Sequence, residues 1–284
     1  MENSTDHDRL LANLLWTSTG ILGCLLNLVL FVVILLNSTG FYRWLTLALA
    51  TNDFCCAFCG SLQATWYYKA EYGLNCVGYG VSAEFPLWAD TIVWLLWVVT
   101  FHSQLVVITY SFIWRAVLIS NSRKLRVFEH KTVFVPLLVV SCAIGYCDYS
   151  VDCTKVYVDV TPLEVLQTVL PAILAGLNFI MIVACASFVN YSIKRGSFSS
   201  KMKKTHAKRL FILIVQAVNP FLLSFCMDLI YELALITPMS GFLVSFIPFS
   251  SFHPVLTAFI ILTMTSNHRV FIRNIFIPTS NAPS

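Results

Sequence analysis

Residues 10–42 read LLANLLWTSTGILGCLLNLVLFVVILLNSTGFY, 33 consecutive positions without an aspartate, glutamate, lysine or arginine. A helix that crosses the roughly 30 Å hydrocarbon layer of a bilayer needs about 20 mainly apolar residues, and this stretch exceeds that. The run is continuous, not alternating, which excludes the ten-residue strands of an outer-membrane barrel. Lipid offers backbone groups no partner, so the segment has to close its own hydrogen bonds as a helix. It is too long for the apolar core of a signal peptide, and the acidic residues Glu2, Asp6 and Asp8 precede it where a signal would be basic.

Six further uncharged runs follow: 54–68, 91–114, 132–147, 165–193, 210–227 and 233–268. Thr237-Pro238-Met239-Ser240-Gly241 is a turn signal near the start of the last one. With flanking residues added, the predicted spans are 10–36, 44–68, 87–118, 131–147, 162–192, 208–235 and 241–266. The fold class expected is an all-α membrane protein, a seven-helix bundle over 10–266, with an outer N-terminus at 1–9 and an inner tail at 267–284. Composition agrees: 58% of the 284 residues are hydrophobic and only 11% charged, with a mean hydropathy of +0.77, against about 25% charged in a soluble domain. Such a chain is no disordered tail, fibrous repeat or nucleic-acid binder, and it argues against a cytosolic enzyme.

The basic residues orient the bundle. Fifteen of the 18 fall in one set of loops, among them Arg115, Lys204, Lys208 and Arg209, while the other side holds only Arg9, Lys69 and Lys155. The rich side is expected to be cytoplasmic, which puts the N-terminus outside and the C-terminus inside. Asn3-Ser4-Thr5 is then a glycosylation acceptor on the outer side. Cys76 and Cys153 lie in two outer loops, in a compartment that permits disulfides, and are expected to pair, with Cys147 as the rival partner for either. Most other cysteines fall within helices, where they act as small apolar residues.

Charged and polar side chains inside a bilayer are costly and mark function. Asp53 is mid-depth in the second segment, and Asn27 sits at comparable depth in its antiparallel neighbour, so the two are expected to meet, as packing or as part of a polar switch network. His253 precedes Pro254 in the seventh segment, where a proline frees a backbone carbonyl. Asp90 opens the third segment, and Trp94, Trp97 and Phe101 follow along one helical face, either a packing stripe or a pocket wall with an acidic rim. Asp228 and Glu232 share a face near the outer end of the sixth segment and are candidates for the same pocket. No metal-ligand cluster, cofactor motif or catalytic constellation is visible, and none is expected.

Several motifs together resemble the nematode serpentine chemoreceptors of the Str superfamily, which are seven-helix G-protein-coupled receptors. Leu49, Ala50 and Asp53 match a second-helix pattern in loose form. Tyr110-Ser111-Phe112-Ile113-Trp114-Arg115 is similar to the aromatic-arginine end of the third helix. Leu213, Gln216 and Pro220 fall where the sixth helix of that group has its Leu, Gln and Pro. His253-Pro254 and the closing Asn267-His268-Arg269 match the seventh. The chain departs from rhodopsin-like receptors at Asp90, where their third-helix cysteine would stand, at Trp114, where an acid would precede the arginine, and at Thr257, in place of a tyrosine. The resemblance implies a plasma-membrane receptor, multi-pass and of the sensory cilium. It would bind an external small organic ligand at Asp90, Trp94, Trp97, Phe101, Asp228 and Glu232. It would present Arg115, Lys204, Lys208 and Arg209 to a heterotrimeric G protein. The alternative is a ligand-gated channel or small-solute transporter; the basic asymmetry opposes the former, since the known seven-helix chemosensory channels are inverted, and the lack of paired broken helices opposes the latter.

Overall fold

The computed structural model describes residues 2–38, 40–70, 73–78, 80–120, 139, 162–225 and 247–276. They form seven α-helices: α1 Glu2–Asn37, α2 Phe41–Gln63, α3 Leu87–Ile119, α4 Pro162–Arg195, α5 Ser200–Pro220, α6 His253–Met264 and α7 Ser266–Phe276. A hairpin of β1 Thr65–Ala70 and β2 Gly73–Gly78 joins α2 to α3. Each of α1 to α5 packs on the next, and α6 packs on both α5 and α1, so the ring closes; α3 also touches α5 across it.

Among the described residues five helices are long and apolar enough to cross a membrane, and a sixth candidate is there if the pair Phe249–Met264 and Ser266–Asn274, bent by 84°, is counted as one. The arrangement of polarity inverts that of a soluble protein. Leu10, Leu14, Ile21, Leu25, Leu28 and Leu36 line the outside of α1, and Ile173, Leu177, Ile180 and Val183 that of α4. Asn27, Asp53, Gln104, Gln216 and His253 are all buried. An apolar exterior of this extent is a surface built for lipid or a partner, and this is a helical membrane protein.

Four predicted boundaries differ in the structure. The span 44–68 ends at Gln63, because Ala64 adopts the left-handed conformation (φ 41°, ψ 59°) and its N–H closes on the Gly60 carbonyl at 3.0 Å. The aromatic and β-branched run Thr65-Trp66-Tyr67-Tyr68 then pairs as a strand instead of continuing the helix. The hairpin returns to the end of α2 through Gly80, whose N–H donates to the Gln63 carbonyl at 2.9 Å; a Cβ there would lie 1.9 Å from the Leu62 carbonyl oxygen. The span 241–266 is not one helix: a 3₁₀ turn at Ile247–Phe252 precedes α6, and Pro254 occupies the first helical turn, where its missing N–H leaves no bond unmade. The tail 267–284 is helical over most of its first half as α7. The span 208–235 starts earlier, at a Ser199 cap that accepts from the Met202 N–H at 3.3 Å, and at Pro220 the α ladder gives way to a π turn. Span 131–147 lies outside the described residues apart from Val139.

α7 turns back against α1, where the Ser38 hydroxyl and His268 Nε2 stand 3.4 Å apart. Burial pushes the His268 imidazole below its ordinary value, and a hydrogen bond with the Ile261 backbone opposes the shift.

Candidate functional site

The buried polar side chains converge on one dipeptide, His253-Pro254. Asn219, one residue before the end of α5, donates its amide to the His253 carbonyl at 3.0 Å and to the Thr257 hydroxyl at 2.8 Å, while that hydroxyl donates to the same carbonyl at 3.1 Å. Asn27 on α1 donates to the Pro254 carbonyl at 3.2 Å and to the Gly23 carbonyl at 2.9 Å. The His253 ring faces Asp53 on α2, with Nε2 to Oδ1 at 3.9 Å, and Gln104 on α3 donates its amide to the same carboxylate oxygen. At the first turn of α6, α1 and α5 thus bind two backbone carbonyls, and α2 and α3 approach through the ring.

The structure brings the predicted residues Asn27, Asp53, His253 and Pro254 into one cluster. Asn27 and Asp53 are not bonded to each other; each reaches α6 instead. Gln104, Asn219 and Thr257 were not assigned a role from sequence, although a glutamine and an asparagine in otherwise apolar runs were the available signal. A second layer lies beside them: the Asn52 amide donates to the Thr100 carbonyl at 2.6 Å, and Ser103 donates to the Asn52 carbonyl oxygen. Several buried atoms have no hydrogen-bond partner among the described residues: Asp53 Oδ2, Asn27 Oδ1, Asn219 Oδ1 and both ring nitrogens of His253.

Directly against His253 lies a cleft whose walls include Trp16 on α1, Cys56 and Gly60 on α2, and Trp97 and Phe101 on α3. It measures about 310 Å³ only when the open solvent around it is counted; the space it encloses is about that of one water molecule. The aromatic stripe is real: Trp94 stacks on Trp97 at 5.2 Å and Trp97 on Phe101 at 5.7 Å, and the Trp16 ring meets Trp97 nearly edge-on at 6.1 Å and 74°. Trp97 and Phe101 line the cleft, whereas Trp94 and the half-buried Asp90 do not. Asp228 and Glu232 lie outside the described residues.

At the far end of α3, Arg115 is 1% exposed. Its Nε and Nη2 have no hydrogen-bond partner among the described residues, and Tyr42 and Arg209 are close enough to act on its charge. Phe41 and Tyr42 pack on the preceding Trp114, at 5.8 and 6.3 Å. The expected basic face is therefore split: Lys204, Lys208 and Arg209 are exposed on α5, while Arg115 is enclosed. Lys203 ties the start of α5 to the end of α4 by donating to the Lys194 carbonyl at 3.2 Å.

Of the features expected on the outer side, Cys76 stands on β2 opposite Tyr67; Cys153 and Cys147 lie outside the described residues. Asn3 is in the first turn of α1, which continues through the predicted N-terminal segment to Glu2. The described residues hold no cluster of histidine, cysteine and acid suited to a metal ion. Compared with protein-family models and with curated proteins, the chain matches none.

Proposed function

We propose that the chain is a seven-helix receptor of the plasma membrane, N-terminus outside, that binds an external small organic ligand and activates a heterotrimeric G protein. The observation that carries this reading is the contact between cleft and network. His253 lines the cleft, and the same residue is held by Asn219 of α5 and faces the Asp53–Gln104 pair of α2 and α3. A molecule that enters the cleft presses on the residue where four helices meet, and a ligand that fits one arrangement of that junction better than another shifts the balance between them.

The count of seven joins the five long helices, the bent α6 and the apolar segment 131–147. The excess of basic residues in one set of loops gives the orientation. The G-protein partner rests on the resemblance of the Tyr110–Arg115 and Gln216–Pro220 motifs to the Str chemoreceptors. Its docking face would be the end of the bundle with Arg115, Lys204, Lys208 and Arg209, and a sensory cilium is the location that the resemblance implies. The π turn after Pro220 supplies a weak point about which α5 can move away from α3.

The test is expression of the full chain in cells that report calcium or cAMP, with volatile and water-soluble organic compounds as stimuli. At least one compound is expected to evoke a response that Arg115→Ala removes at equal surface density. Responses that are electrical and independent of G proteins would replace this reading with the channel alternative.

A further inference from the structure

The basic end of α5 divides by side. Arg209 and His206 are close enough to Arg115 on α3 for the charges to act on one another, so they mark the side turned into the bundle. Lys203 is used elsewhere, on the Lys194 carbonyl of α4. Lys201, Lys204 and Lys208 follow one another at spacings of three and four, which puts them on one helical face, and all three are exposed. Phe211, Val218 and Leu222 continue that face along the helix and are 55%, 45% and 52% exposed, whereas Leu213, Gln216 and Asn219 between them are buried. One side of α5 therefore carries cations at its start and bare apolar side chains beyond.

The two parts of this side call for different surroundings. The helix is long and apolar enough to cross a membrane over Ser200–Leu223, and its bare apolar strip suits hydrocarbon. The lysines stand at the end of that strip, where long side chains carry their charge to the headgroup level. No aspartate or glutamate occurs between Glu164 and Asp228, so neither α5 nor the part of α4 beside it supplies a counter-charge. Seven residues of α-helix rise about 10 Å, so a headgroup with phosphates at several positions meets all three ammonium groups without drawing the side chains together.

We infer that this side of α5 binds an anionic phospholipid whose headgroup carries more than one phosphate. Lys201, Lys204 and Lys208 hold the phosphates, and an acyl chain lies along Phe211 and Val218. The inference takes from the receptor reading only its orientation, which puts this end of the bundle at the inner leaflet, where anionic lipid attracts basic segments. Arg115 and Arg209, on the inward side, are left for the protein partner.

The test uses purified full-length protein in micelles of neutral detergent. A phosphatidylinositol bisphosphate labelled on its acyl chain is followed by fluorescence anisotropy, with unlabelled competitors. The unlabelled bisphosphate lipid is expected to compete about tenfold better than phosphatidylserine, which offers fewer charges to the lysines. Soluble inositol trisphosphate, a headgroup without chains, is expected to compete about tenfold more weakly than the lipid, since it leaves the apolar strip uncovered. Lys204→Gln with Lys208→Gln is expected to weaken lipid binding about thirtyfold, at roughly fivefold for each lysine. Arg269→Gln with Arg273→Gln removes the same charge from α7 and is expected to leave the affinity within about twofold. Equal competition by the two anionic lipids, or equal losses in the two double variants, would reduce the contact to general charge attraction and overturn the inference. A soluble trisphosphate that competes as well as the lipid would put a free phosphate compound in its place and overturn it too, as would no binding at all. Micelles hold no organic stimulus and no G protein, so a failure here would sink this inference alone, and lipid binding without any cellular response would sink the receptor reading alone.

Discussion

Two buried polar regions of this bundle solve the same problem in opposite ways. Around His253-Pro254, polar groups from five helices share the load: Asn27, Asp53, Gln104, Asn219 and Thr257 each make at least one hydrogen bond. At the other end of α3 a single guanidinium is buried with Tyr42 and Arg209 nearby, and two of its nitrogens have no partner among the described residues. The first region joins helices, because most of its bonds cross between them. The second, among the described residues, leaves those two nitrogens unmatched and holds a charge at a cost. The difference teaches that buried polarity by itself says little; what matters is whether its partners are within the fold or have to come from elsewhere.

That contrast can be broken by variants with opposite signs. Arg115→Met keeps much of the volume and removes an unpaired buried charge, a change that relieves several kcal/mol. The midpoint of thermal unfolding in nanodiscs is expected to rise by about 5 to 10 °C while signalling is lost. A fall in the midpoint would mean that Arg115 has a strong partner after all and that the two regions are alike. Asn219→Leu should do the reverse. It removes both bonds from α5 to α6, at about 1–3 kcal/mol, and the midpoint is expected to drop by roughly 5 °C; no drop would mean that the network does not hold α5. Asp53→Asn gives the smallest change. The amide oxygen still accepts from Gln104, so the midpoint is expected to stay within about 3 °C, and a larger shift would show that the carboxylate itself, rather than its shape, organises the network.

The difference between the two regions was partly legible in the sequence. Asp53 and the His253-Pro254 pair stood out because charge and proline are rare in apolar helices, and the uncharged run 91–114 with its flanking residues gave the span 87–118 almost to the residue. Other features were not. Hydropathy does not register a left-handed Ala64, so α2 was carried through a strand-forming run that is equally apolar. Equal depth in neighbouring helices suggested an Asn27–Asp53 bond, but depth does not fix the azimuth of a side chain, and the Pro254 and Gly23 carbonyls take the amide instead. Arg115 sits where a long side chain ordinarily snorkels to water; that it is buried instead is a tertiary fact with no local signal. Trp97 and Phe101 stood out as a one-face stripe by their spacing, as packing or as a pocket wall, whereas Trp16, far along its helix from the span's other aromatic residue, Phe31, carried nothing in its own segment to say that it faced them.

The account depends on which end of the bundle meets the cytoplasm, since the cleft has to open toward external ligand and the arginine end toward the G protein. Epitope tags at the two termini of the full chain, stained in intact and then in permeabilised cells, measure this directly. The N-terminal tag is expected to stain in intact cells and the C-terminal tag only after permeabilisation. The reverse pattern would contradict the receptor reading at its root.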